Sequence, residues 1–173
     1  MKVCKFEKIK DEDEMKQVIN CIQKEHPYVA VVPILAQLQE WLQAISISWF
    51  HEEDEVSHAT VNAIEAYCCT LANHLVTDSH LNQEIKNRIL ECIKKIHILV
   101  EDKADLLIDK MIKAEVYGLS SDLFTYCLRQ QGLRAQTLDT GKLIQINLER
   151  QPDIPYIQES IQQYIDENRN VDI

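Results

Sequence analysis

Lys5 is the first residue in the chain whose type and place suit a chemical role. It closes an alternating stretch, KVCKF at 2–6. A lysine at the end of a strand can neutralise charge on a transferring phosphoryl group. It can equally carry its ammonium out to water on an apolar stem. Ser120, Ser121 and Asp122 form a run suited to capping a helix N-terminus. Asp139 opens Asp-Thr-Gly, a good turn sequence. His51, Glu52, Glu53, Asp54 and His58 gather imidazoles and carboxylates. His51 and His58 would share a face if one helix ran through both, but a metal needs a third convergent ligand and a closed shell. The cluster is read as an acidic first helical turn favoured by the helix dipole, and no metal is expected. His74, His80 and His97 fall at helix margins and are read as polar rim residues. No nucleophile sits in a local context such as G-x-S-x-G.

The elements that position these residues follow from periodicity. Residues 2–6 alternate and predict a short strand. An amphipathic helix follows over Asp11–Gln23, capped by Asp11 or Asp13, with Met15, Val18, Ile19 and Ile22 on one face and Pro27 stopping it. Tyr28–Val32 is a continuous apolar run, the pattern of an inner parallel strand, and residues 34–48 read as a helix. Strand-helix order makes these two strands parallel neighbours. From Asp54 to Ala114 only helical faces are legible. Val56, Ala59, Ala63, Tyr67, Leu71 and His74 trace one, Ile85, Ile89, Cys92, Ile96 and Leu99 a second, and TDSH at 77–80 makes the turn. After Gly118 the α/β pattern is expected to return. A helix starts at Ser120, Ser121 and Asp122 and ends at Gly132, strands follow at 133–138 and 143–146, and a last helix spans 154–165.

The whole is one domain over 1–173. Its parts are a first strand-helix-strand-helix unit at 1–50, a helical insertion at 54–114 and a returning helix-strand-strand-helix unit at 115–173. The chain has 173 residues, enough for one core. Three glycines and four prolines favour long helices and few tight turns. A formal charge of −10 argues against nucleic acid or an anionic membrane as a partner. Six cysteines without a CxxC read as reduced, mostly buried thiols of a cytoplasmic protein.

In order and spacing these elements resemble the N-terminal part of aspartate kinase in the amino-acid kinase superfamily. MKVCKF is similar to the family's opening M-K-V-x-K-F-G-G-T-S. YVAVVPILAQLQEWLQAI is similar to its second strand and helix. GLSSDLFTYCLRQQGLRAQTLDTGKLIQIN is similar to the segment built on G-E-x-x-S-x-x-L, and QPDIPYIQESIQQYIDENRNVDI to the helix before its next core strand. The resemblance implies an α/β, partial amino-acid-kinase-like three-layer fold with a short, mostly parallel sheet and a large helical insertion. It implies Lys5 as the catalytic residue and Ser120, Ser121 and Asp139 as substrate-binding residues, with ATP and magnesium as cofactors if the chain is an enzyme.

The departures are as specific as the likeness. Glu7-Lys8-Ile9-Lys10 replaces the glycine turn whose amides would approach phosphates. Pro33-Ile34 replaces the Ser-Ala turn, and Tyr117 stands where the family has an acidic residue, with Glu115 displaced nearby. Two functions follow from different classes. One is a non-catalytic module that binds protein or itself, with no cofactor. The other is an aspartate kinase fragment that phosphorylates the aspartate side-chain carboxylate. The expected partner is a second copy, or another protein covering a truncated sheet edge, with Trp41, Trp49 and Phe50 as contact residues.

Overall fold

The computed structural model describes residues 3–26, 29–102, 107–138, 143–145 and 151–167. The elements run β1 (Val3–Lys5), α1 (Glu12–Glu25), β2 (Val29–Val31), α2 (Ala36–Phe50), α3 (Asp54–Leu75), α4 (Ser79–Glu101), α5 (Ile108–Gln130) and α6 (Ile154–Glu167). The expected fold class is observed: a helix-rich α/β chain with a short parallel sheet.

β1 and β2 pair in parallel, with Val3 opposite Val29, Cys4 opposite Ala30 and Lys5 opposite Val31. A further parallel bridge joins Ile9 to Leu35, and both side chains are wholly buried. α1 is the crossover between the strands, so Met15, Ile19 and Ile22 on its apolar face lie in the core. Within the run read as an inner strand, β2 covers Val29–Val31; it pairs with β1 along one edge, no second strand adjoins it among the described residues, and Val31 is 46% exposed.

The body of the molecule is helical. α3 packs on α2 and α4, and α4 on α5. Ile64 and Cys68 of α3, Ile85, Ile89 and Ile96 of α4, and Val116, Leu123 and Phe124 of α5 fill the space between them. The turn expected at TDSH lies between α3 and α4, where Asp78 caps α4 by accepting from the His80 and Leu81 amides. Gln130 clamps that turn from α5. Its Oε1 accepts from the Thr77 and Asp78 amides, and its Nε2 donates to the Leu75 carbonyl at 2.9 Å. Asn82 Nδ2 donates to the carbonyls of Ala72 and Val76. The Leu75 carbonyl, left open by the helix, and the Val76 carbonyl just beyond it are thus satisfied by side chains.

Two expectations are corrected. The helix predicted to begin at Ser120 is the second half of α5, which runs unbroken through Gly118. Ile112, Val116, Leu119, Leu123 and Cys127 are all buried and make one helical stripe. Glycine in a helix interior costs roughly 1 kcal/mol, which burial of that stripe outweighs. The boundary expected at 114/115 therefore falls inside α5. Gly132 does end α5, with φ +84°, its amide on the Arg129 carbonyl and the Leu133 amide on the Leu128 carbonyl.

The strands predicted at 133–138 and 143–146 are absent from the described residues. Residues 133–138 are held by side chains instead. Arg129 Nε donates to the Ala135 carbonyl at 2.8 Å, and Thr137 Oγ1 donates to Asp122 Oδ1 at 2.7 Å. Trp41 and Trp49, expected at a contact surface, are half-buried against the core. Trp41 meets Tyr67 edge to face, and Trp49 Nε1 donates to the Asp102 carbonyl. Phe50 remains 77% exposed.

Candidate functional site

The corner where β1 turns into α1 is the place that resembles a phosphate site. Lys5 ends β1 on an exposed position. Among the described residues it forms no ion pair or hydrogen bond through its ammonium. The turn behind it makes several contacts within the chain. The Phe6 amide donates to the Val31 carbonyl at 3.0 Å, extending the sheet by one rung. Ile9 is inserted into the core, and its carbonyl accepts from the Ala36 amide at 2.9 Å. The Lys10 amide donates to Glu14 Oε2 at 2.7 Å, and the Glu14 amide donates to Asp11 Oδ1 at 2.9 Å.

Asp11 and Glu14 therefore cap the start of α1 reciprocally, close to a capping box. Glu12 and Asp13 add two more carboxylates to the same turn. Glu12 is held below the usual carboxylate range by hydrogen bonds from Lys16 and then His74, so it stays ionised. A helix N-terminus attracts anions because its amides are unsatisfied and its dipole end is positive. Here the Glu14 amide is taken by Asp11, and the dipole end is faced by the chain's own carboxylates, with Glu12 and Asp13 paired to Lys16 and Glu14 to Lys10. Lys8 and Lys10, with Glu14, line a shallow open groove beside it.

The second part of the expected site does not join the first. Ser120 lies in the interior of α5, 2% exposed, and is no cap. Its Oγ is buried without a hydrogen-bond partner among the described residues. Ser121 Oγ donates back to the Tyr117 carbonyl at 3.2 Å, an ordinary in-helix contact. Tyr117 is 44% exposed, and Glu115 is engaged by Lys95 at 3.4 Å. Asp139 lies outside the described residues. No hydrogen bond or ion pair links Lys5 to Ser120 or Ser121 among the described residues.

The condition under which His51 and His58 would share a face is not met. His51 follows α2 and Glu52 sits at φ +59°, so His51 and His58 belong to different elements. Among the described residues no three His, Cys, Asp or Glu donors converge as a metal set. His58 pairs instead with His97 of α4, Nδ1 to Nδ1 at 2.7 Å. Sequence reasoning missed this pair, although one signal pointed to it. In a helical hairpin, residues equidistant from the turn meet, and His58 and His97 lie nearly equally far from Asp78. His74 reaches Glu12 at 3.0 Å and His80 reaches Glu84 at 3.4 Å, both in rim positions as expected.

All six cysteines are free thiols. Cys68, Cys92 and Cys127 are buried, and burial pushes the Cys92 and Cys127 thiols up to about 12 and Cys68 higher still. None of the three is a nucleophile at neutral pH. No described helix is long and apolar enough to cross a membrane.

No family model and no curated protein matches the chain. Among solved structures, it is similar in fold to Escherichia coli aspartokinase III in complex with aspartate and ADP (R-state). The TM-score is 0.74 at 16% identity. The match covers 98% of this chain and 38% of that one, so this chain spans well under half the length of its structural neighbour. At that identity the likeness is one of fold.

Proposed function

We propose that this chain is a non-catalytic, aspartokinase-like module that acts by binding protein, including a second copy of itself, and that it needs no cofactor. One observation carries the reading: at the β1–α1 corner the Lys10 and Glu14 amides are already taken by Glu14 and Asp11, and the first turn of α1 carries the carboxylates of Glu12, Asp13 and Glu14. Phosphoryl transfer depends on preorganised positive charge and donors around the transferring group. Lys5 alone, exposed and without companions, stabilises little of such a transition state. The surface supports the binding half of the reading. Val3 and Val31 on the sheet, and Ile47 and Phe50 on α2, are exposed apolar side chains, and the outer edge of β2 is unpaired among the described residues. A cytoplasmic location accompanies this reading, in keeping with six free thiols.

Titration of the chain with Mg-ATP and with aspartate by calorimetry tests it. Neither is expected to give binding heat. Saturable binding of Mg-ATP that is lost in Lys5→Ala would overturn the reading. It would favour the second one, an aspartate kinase fragment acting on the aspartate side-chain carboxylate, which ADP formation dependent on aspartate would then test. That second reading draws on the neighbour's printed ligands, aspartate and ADP, and on the unpaired Ser120 hydroxyl. Light scattering behind size exclusion tests self-association: a dimer is expected, and a monomer at all concentrations would remove the second copy as a partner.

A further inference from the structure

The His58–His97 contact has a geometry that assigns its protons. The ring centroids are 4.9 Å apart with planes at 26°, while the Nδ1 atoms are 2.7 Å apart. Most of the centroid separation is therefore taken up by the N···N contact, and two ring radii laid end to end account for the rest. The rings meet edge to edge with nitrogens head on, and are not stacked face to face. A metal held in line between them would need about 4 Å between nitrogens, twice the usual Zn–N distance. The gap suits a hydrogen bond.

The flanking partners fix which nitrogen donates. Asn62 Oδ1 accepts only, so His97 Nε2, 3.1 Å away, carries a hydrogen. Neutral His97 then has a lone pair at Nδ1, and His58 must donate from its own Nδ1. His58 Nε2 is left facing Glu101 Oε1 at 3.7 Å, within ion-pair reach. One extra proton placed at His58 Nε2 keeps the inter-helix bond and adds an attraction to Glu101. A second extra proton must go to His97 Nδ1, where it removes the only lone pair the bond uses and sets two cations edge to edge.

We propose that His58 and His97 form a proton-operated clasp between the start of α3 and the end of α4, closed while the pair holds at most one extra proton and opened when both rings are charged. Among the described residues, Asp54 and Glu55 stand one turn before His58 on α3 and Glu65 lies near His97; on α4, Lys94 stands one turn before His97 and Glu101 one turn after. The end of α2 contributes no Asp, Glu, Lys or Arg between Glu40 and Glu52 but is followed by His51, and in the first turns of α5 Asp109 is paired with Lys113 beside Lys110. Burial and then the His58 charge hold the His97 imidazole below its ordinary value of 6.5, against the opposing pull of Glu65 and Glu101. A ring whose proton affinity is lowered by folding stabilises the fold above its unfolded value. It loses that contribution as pH falls below 6.5, because the unfolded chain takes up the proton first. Opening would loosen the helix ends that carry exposed Val56 and Ile98.

Two measurements on the full chain test this. Long-range proton–nitrogen NMR of the imidazoles at neutral pH should show His58 in the Nδ1–H tautomer and His97 in the Nε2–H tautomer. Finding both rings as Nε2–H would overturn the proposal without any mutation. Thermal unfolding is then followed from neutral pH down through the imidazole range for the wild type, His58→Gln and His97→Gln. The wild type should lose about 2–4 °C more than either variant over that range, the shift that roughly 1 kcal/mol produces in a chain of this size. Parallel curves for all three proteins would also overturn it.

Discussion

The β1–α1 corner and the α3–α4 hairpin make opposite cases. The corner sits where a phosphate motif would be sought, yet it lacks the glycines, its Phe6 and Lys10 amides are bonded to Val31 and Glu14, and its dipole is met by Asp11. The hairpin carries no motif, yet it brings two imidazoles and an amide into one hydrogen-bonded set with a carboxylate in ion-pair reach. Motif-bearing residues thus serve as local structure, while the titratable cluster joins residues 39 apart in sequence. A pattern of residue types shows that a site can be built there; the bonds already made show whether it is free to act.

The sharpest way to break this contrast is to ask which region the fold depends on. Phe124 of α5 is 2% exposed in the helical body, and Phe124→Ala should cost about 3–5 kcal/mol in urea unfolding. Val31→Thr, on the exposed face of β2, should stay within about 0.5 kcal/mol. Equal losses would mean that the small sheet is as central as the helices. Next in size is Gln130→Ala, which leaves the Thr77 and Asp78 amides and the Leu75 carbonyl unpartnered together. A loss of about 1–3 kcal/mol is expected, with faster hydrogen exchange at the α3–α4 turn as the confirming measurement.

Asp11→Ala should cost about 1 kcal/mol as the loss of a helix cap. It should not create Mg-ATP binding, because Glu12, Asp13 and Glu14 remain. Binding gained by this variant would show that a single carboxylate was all that closed the corner. The smallest effect on stability is chemical. Brief alkylation at neutral pH should label exposed Cys21 and spare Cys68, Cys92 and Cys127, as read by mass spectrometry of peptides. Labelling of those three before unfolding would show that the helical body opens more readily than its packing implies.

Much of the fold was legible. Met15, Val18, Ile19 and Ile22 announced α1, Asp11 announced its cap, and TDSH announced the break between α3 and α4. The parallel order of the two strands followed from the helix between them. The misreadings share one cause. Gly118 and the serines behind it have the composition of a boundary, and a weak local preference was taken over the apolar stripe from Ile112 to Cys127 that carries α5 straight through. Residues 133–138 have strand-like composition, but a strand exists only with a hydrogen-bonded neighbour, and Asp122 and Arg129 hold this segment by side-chain bonds instead. Of the candidate site, Lys5 was placed correctly at the end of β1. The burial of Ser120 was not foreseen, because a cap and a core position differ only in what lies across the helix.

The sequence by itself determined α1 to α4, the stop at Gly132, the parallel pair of strands and the want of glycine at 7–10, because each depends on side-chain types within a few residues of one another. Only the tertiary structure decided that the Phe6 and Lys10 amides are already bonded, that α5 runs through Gly118, that Ser120 faces the core, and that His58 meets His97. Those are facts about which surfaces come together, and periodicity records that a face is apolar without recording what will lie against it.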